Sequence, residues 1–255
     1  METPTTALVT GATAGLGAEF ARQLAQEGHH MVLVARDAAR LRQIADELER
    51  DYSVSTEVLP ADLTDDAGVA AVVGRLTDAA RPVEVLVNNA GIGLLHSFEK
   101  NSLADETRHL RLHVQTPMEL CHAALQGMLE RHSGRIINVA SVSAFANRGS
   151  YSAAKGWQVI FSRWANLAYG PRGVHVTALC PGFTHTEFHD RMGMDKSVAP
   201  RWLWLRADQV VRDGLADNAR GKGVSIPTKR YKLVAVISRV LPARFTSGPP
   251  RRPKQ

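Results

Sequence analysis

Apolar residues along the chain fall into short unbroken runs, separated by longer stretches in which they recur every three or four positions. The runs cover residues 5–9, 30–35, 54–59, 83–87, 135–140 and 174–179, with a shorter one at 223–226. Each is too short for a helix, and the run 30–35 reads as fully buried, the pattern of a strand inside a parallel sheet. The stretches between them predict helices opening after Gly17 and running through Phe20 and Leu24 to Gly28, then over 37–50, 65–80, 102–131 with an interruption at Pro117, 151–169, 208–219 and 228–241. Strand and helix alternating at this spacing predict an α/β fold of the Rossmann type, a doubly wound parallel sheet whose ligands bind at the carboxyl ends of the strands. At Pro117 the missing N–H deprives the His113 carbonyl of its helical partner, and that carbonyl is expected to be free to hold a water.

One region departs from the alternation. Residues 183–205 are weakly periodic and carry Phe183, Phe188, Met192, Met194, Trp202 and Trp204 among charged positions. A long aromatic segment between ordered elements is a candidate lid over an apolar substrate. The 255 residues, 44% hydrophobic, suit a single closed core over 1–243. The net charge of +6 is uneven, because residues 244–255 hold four basic residues and no acid, leaving +2 on the rest. Such a Pro- and Arg-rich end is expected to be disordered, and no nucleic-acid partner is expected. No run approaches the ~18 apolar residues of a membrane span, and residues 1–4 lead directly into a strand without a signal-peptide pattern. A cytoplasmic protein is therefore expected. Cys121 and Cys180 sit singly in apolar runs, which predicts buried thiols. The histidine pairs His109/His113 and His185/His189 lack a third ligand, so no metal is expected.

The candidate chemistry gathers around Tyr151. Four residues on, Lys155 shares its helix face, and a cation there favours the phenolate, bringing the hydroxyl toward proton transfer near neutral pH. Ser141 stands at the carboxyl end of the fifth strand. Upstream, Thr10-Gly11-Ala12-Thr13-Ala14-Gly15-Leu16-Gly17 links the first strand to the first helix. Glycines there let backbone approach a pyrophosphate, which meets the open N–H groups of the helix. Arg36, at the end of the second strand, suits a ribose 2′-phosphate, where an acid would favour a free hydroxyl.

These motifs, in this order over about residues 5–190, resemble the short-chain dehydrogenase/reductase family. The resemblance implies NADP(H) as cofactor, held by Thr10, Gly11, Gly15, Leu16, Gly17, Arg36, Asp62, Leu63, Asn89, Ala90, Gly91, Tyr151, Lys155, Pro181, Gly182, Thr184 and Thr186. It implies hydride exchange with a small carbonyl or alcohol substrate, Tyr151 serving as acid-base group, Lys155 lowering its pKa and Ser141 bonding the substrate oxygen. Homo-oligomers are common in the family. Two departures stand out. His113 occupies the place of the family's relay asparagine, and Ser141 lies about three residues closer to Tyr151 than usual. A catalytically silent NADP(H)-binding sensor of the same fold is the alternative from a different class.

Overall fold

The computed structural model describes residues 5–94, 96–186 and 200–240. Seven strands, β1 (Thr6–Thr10), β2 (His30–Ala35), β3 (Thr56–Pro60), β4 (Val83–Asn88), β5 (Gly134–Val139), β6 (Val174–Leu179) and β7 (Val224–Ser225), form one sheet in the order β3-β2-β1-β4-β5-β6-β7. Every pairing is parallel. The eight α-helices among the described residues are α1 (Gly15–Gln26), α2 (Ala38–Tyr52), α3 (Asp66–Leu76), α4 (Leu103–Leu110), α5 (Thr116–Glu130), α6 (Gly149–Tyr169), α7 (Ala207–Ala219) and α8 (Lys229–Val240). None of the described helices is long and apolar enough to cross a membrane.

Because side chains alternate along a strand, each central strand feeds two cores. Val9, Leu33, Ile137 and Leu179 pack with Phe20, Leu24, Leu41 and Val210 on the face covered by α1, α2 and α7. Their neighbours Leu8, Val32 and Ile136 pack with Val72, Leu120, Met128 and Ala165 under α3, α5 and α6. Burial on both sides explains the apolar run Met31 to Ala35 of β2. Each fully buried Leu or Phe contributes ~1.5–3 kcal/mol. Crossovers from β1 lead toward β2 and β3 on one side, whereas β4 to β7 build the other, so a crevice opens above the carboxyl ends of β1 and β4.

The predicted helix over 102–131, with its interruption near Pro117, is observed as α4 and α5. A π-type turn, Arg111–Gln115, separates α4 from α5, and Pro117 lies in the first turn of α5. With no N–H at 117, the ladder widens ahead of the proline, and the helix restarts where a missing donor costs nothing. The His113 carbonyl accepts a side-chain bond from Gln158 Nε2 at 2.9 Å. Much of the proposed lid, residues 187–199, and the 244–255 tail lie outside the described residues. On either side of that gap, Thr184 bridges to Leu205, and Phe183 packs on Trp204 with ring centroids 5.5 Å apart. Neither cysteine is in a disulfide, and both are buried.

Candidate active site

A cleft of about 1480 Å³ runs across the carboxyl ends of the strands. At its floor the chain leaves β1 through Gly11 (φ 67°) and Gly15 (φ 55°), conformations that L side chains rarely adopt. Ala14 precedes α1 without a side-chain cap, and the first turn holds no acid. The N–H groups of α1 are thus open to an anion, the arrangement that a pyrophosphate requires. The residues therefore fit a dinucleotide on this chain's own geometry.

Two residues expected to touch the cofactor stand behind the wall instead. The Thr10 hydroxyl donates to the Val87 carbonyl and accepts from the Asn89 and Ala90 N–H groups at 2.9 and 3.0 Å, tying the ends of β1 and β4 together. Gly17 lets α1 approach the turn, since a Cβ there would lie 2.1 Å from the Gly11 carbonyl oxygen. Gly11, Gly15, Leu16, Arg36, Asp62, Leu63, Asn89, Ala90, Gly91, Pro181, Gly182, Thr184 and Thr186 all line the cleft, as do Ser141, Tyr151, Lys155 and His113. Asn89 also steadies the turn, donating to Thr10 O at 3.0 Å.

At the adenosine end, the Arg36 guanidinium is 73% exposed and lies 4.0 Å from Asp62. Asp62 accepts from the N–H and hydroxyl of Thr64. Burial pushes its carboxyl up, but those bonds and the Arg36 and Arg108 cations outweigh it and hold the pKa below the usual value. The neighbouring acid, Asp37, caps α2 by accepting from the Arg40 N–H at 3.0 Å. Arg40 and Arg108 line the same end of the cleft. Neither is marked in the sequence, because each sits in a predicted helix with other arginines.

Tyr151 and Lys155 occupy one face of α6, with the ammonium 5.9 Å from the centre of the phenol ring. Lys155 is buried; it donates to the Val139 carbonyl at 2.7 Å and to Gln158 Oε1 at 3.2 Å. Burial depresses its pKa to about 7, against a slight upward pull from Cys180. Gln158 passes the connection on to the His113 carbonyl, so a side-chain amide joins the lysine to the backbone of the π-type turn. No periodic pattern marked Gln158, which lies in the helix interior and reads as an ordinary buried position. Ser141 Oγ accepts from the Ser143 N–H at 3.1 Å, which leaves its own proton available to a ligand.

His113 is buried, with Nε2 at 2.8 Å from Ile92 O and 3.2 Å from Ile92 N. The shorter contact assigns the proton to Nε2, leaving Nδ1 an unpaired buried acceptor. Burial, then the Lys155 charge and then His109, push its pKa well below the usual value, so the imidazole stays neutral. Titration near pH ~6.5, the mark of an acting imidazole, is not expected of it. His109, 4.5 Å away between ring centres, is held down to about 4 by burial and then by Lys155. Gly91 admits the His113 ring, since a Cβ there would stand 2.7 Å from Cε1.

Beyond β6, Tyr231 of α8 fixes the wall. Its hydroxyl donates to Leu203 O and accepts from the Phe183 N–H, and its ring fills the space a Cβ on Gly182 would need. Among the described residues no group of three or more potential ligands can hold a metal.

Residues 5–197 match the short chain dehydrogenase family, and the chain belongs to it. It is 33% identical over 202 residues to galactitol 2-dehydrogenase (L-tagatose-forming) of Cereibacter sphaeroides, covering 77% of this chain and 78% of that protein. Among solved structures it is similar to a short-chain dehydrogenase from Sphingobium yanoikuyae in complex with NADPH, with a TM-score of 0.84 and 33% identity over 94% of this chain and 97% of that one. It is also similar to the bulky-bulky ketone specific alcohol dehydrogenase from Comamonas testosteroni, with a TM-score of 0.79 and 29% identity over 95% and 97% of the two chains.

Proposed function

We propose that this protein is an NADP(H)-dependent oxidoreductase that exchanges a hydride between nicotinamide and the carbonyl or alcohol carbon of an apolar small molecule. The observation that carries the reading is that Tyr151 and Lys155 open into the same cleft as the glycine turn. The nicotinamide, when bound, supplies or accepts the hydride. In reduction Tyr151 gives its hydroxyl proton to the substrate oxygen, and in oxidation it takes that proton back. Lys155, protonated, favours the phenolate that results. Ser141, whose oxygen already accepts from Ser143, donates its hydrogen to the same substrate oxygen. His113 acts through its carbonyl, which anchors Gln158 and through it the lysine.

Preference for the 2′-phosphate is supported by Arg36 and Arg40 lining the adenosine end while the Asp37 carboxylate is engaged in capping α2. An NADPH complex of the Sphingobium relative agrees with it. An apolar substrate is supported by Ile92, Leu94 and Leu112 in the cleft wall and by the bulky ketone named for the Comamonas relative. The intact Ser141, Tyr151 and Lys155 constellation speaks against a silent sensor. Exposed Ile160, Trp164 and Leu167 form a stripe on the outer face of α6, which supports self-association through that helix.

The test is consumption of NADPH and NADH with a homologous series of ketones. NADPH should be preferred, and kcat/KM should rise up to about fourfold per added methylene, the equivalent of ~0.8 kcal/mol. Equal use of both cofactors or a flat response to chain length would contradict the reading.

A further inference from the structure

The outer face of α8 is apolar and edged by cations. Tyr231 and Ala235, four residues apart, turn inward and are buried. On the opposite side Leu233, Val236 and Ile237 are 60%, 55% and 44% exposed. Spaced three and four apart, they form one continuous stripe. Lys229 extends the stripe at its start, four residues before Leu233, and Lys232 flanks it four residues before Val236. The helix thus turns apolar side chains, bordered by cations, toward solvent.

Charge along the chain supplies the second observation. The last 28 residues carry eight Lys and Arg and no Asp or Glu, whereas the first 227 carry 23 basic and 25 acidic residues. All of the protein's positive excess therefore lies in and around α8. A basic end alone would suit any polyanion, but exposed Leu, Val and Ile gain nothing from a phosphate backbone. A second copy of the same face is also disfavoured, because an acid-free helix brought against itself opposes cations to cations. An apolar stripe edged by lysines matches a surface with acyl chains beneath anionic headgroups.

We propose that α8 is an interfacial helix that docks the protein on an anionic lipid bilayer through Leu233, Val236 and Ile237, with Lys229 and Lys232 held at the headgroups. The helix is fixed to the body for this role. Tyr231 is clamped between Phe183 and Leu203, and α8 packs against the turn Val142–Phe145 that follows Ser141. Docking therefore sets the orientation of the substrate side of the cleft relative to the bilayer.

The experiment is co-sedimentation of the full-length protein with phosphatidylcholine vesicles, plain or containing roughly one-third phosphatidylglycerol. Binding is expected only with phosphatidylglycerol. Leu233→Gln with Ile237→Gln touches no core contact, so it should leave the melting temperature unchanged and weaken binding at least about tenfold. Lys229→Glu and Lys232→Glu should each weaken it roughly fivefold or more, with the effect shrinking in salt. Failure to bind either vesicle overturns the proposal. So does full binding by the Leu233/Ile237 variant, which would make the attraction purely electrostatic. Conversion from dimer to monomer by that variant, without vesicle binding by the parent, would assign the face to a second copy. Tighter binding to duplex DNA than to the anionic vesicles would assign the charge to nucleic acid. Oxidoreductase turnover of a water-soluble substrate is unaffected by these variants, so the two proposals fail separately.

Discussion

Replacing Gln158 with leucine probes the link that joins the lysine to the helix behind it. The side chain is buried, and its two polar atoms serve two groups that have few alternatives: the Lys155 ammonium at 3.2 Å and the His113 carbonyl at 2.9 Å. Leucine has similar volume and satisfies neither. The carbonyl, for which Pro117 offers no N–H, loses its side-chain donor at a cost of ~1–3 kcal/mol, and the lost charge-assisted bond adds ~1.5–3 kcal/mol. A cost of about 4 kcal/mol is expected while the lysine is charged. At ~2–4 °C per kcal/mol for a domain of this size, the melting temperature should fall by about 8–16 °C. The cost depends on pH in a defined direction. Lys155 already has a folded pKa of about 7, below its unfolded value, so folded protein holds fewer protons between the two and its stability rises with pH across that window. Removing an acceptor disfavours the charged form further, so Gln158→Leu should be most damaging below pH ~7 and should cost about half as much near pH ~9, where only the bond to the carbonyl is missed. The same shift appears in activity, because reduction needs protonated Lys155: the alkaline limb of kcat/KM should move down by about one pH unit. Gln158→Glu should move it up, since a carboxylate favours the ammonium. Denaturant unfolding and rate profiles across pH measure both. An unmoved limb in both variants, with less than about 1 kcal/mol lost in Gln158→Leu, would refute the argument.

The remaining expectations concern the two ends of the cleft. Arg36→Asp should cut NADPH affinity about tenfold, the low end for a charge-assisted contact because the guanidinium is largely exposed, and raise relative use of NADH; unchanged Kd values for both cofactors would contradict it. His113→Asn should keep kcat within about tenfold and show no lost inflection near pH ~6.5, since the imidazole is held neutral; a loss of a hundredfold with such an inflection would assign the imidazole a direct part. Gly91→Ala should destabilise by ~1–3 kcal/mol through the clash with His113 Cε1, and adding His113→Ser should recover at least about 1 kcal/mol of it; purely additive effects would place the strain elsewhere.

What the sequence made legible is what leaves a local pattern. Doubly apolar runs mark buried parallel strands, and glycines before a helix mark a turn that backbone alone can occupy. Ser141, Tyr151 and Lys155 are found by chemistry and by their place after strands. Thr10 and Gly17 were assigned to the cofactor because sequence cannot tell a residue that faces a ligand from one that holds the facing backbone in place. The Thr10 hydroxyl spans 79 residues to reach Asn89, a closure that depends on sheet order. Pro117, through its missing N–H, draws attention to the His113 carbonyl. Its partner is Gln158, 45 residues away on another helix, and nothing local announces that meeting. The exposed face of α8 was equally hidden, because its apolar spacing resembles that of a core-facing helix until Tyr231 and Ala235 are seen to be the buried pair.

The most direct test of the account compares the unaltered protein with Tyr151→Phe, measuring NADPH binding and turnover of the best ketone from the homologous series side by side. Loss of the hydroxyl should leave the NADPH dissociation constant within about threefold, because the ring and its neighbours remain, while turnover falls by ~10²–10⁴-fold, the usual contribution of a positioned acid-base group. Retention of more than a few per cent of turnover by Tyr151→Phe would show that another group moves the proton, and the account built on the Tyr151–Lys155 pair would be contradicted.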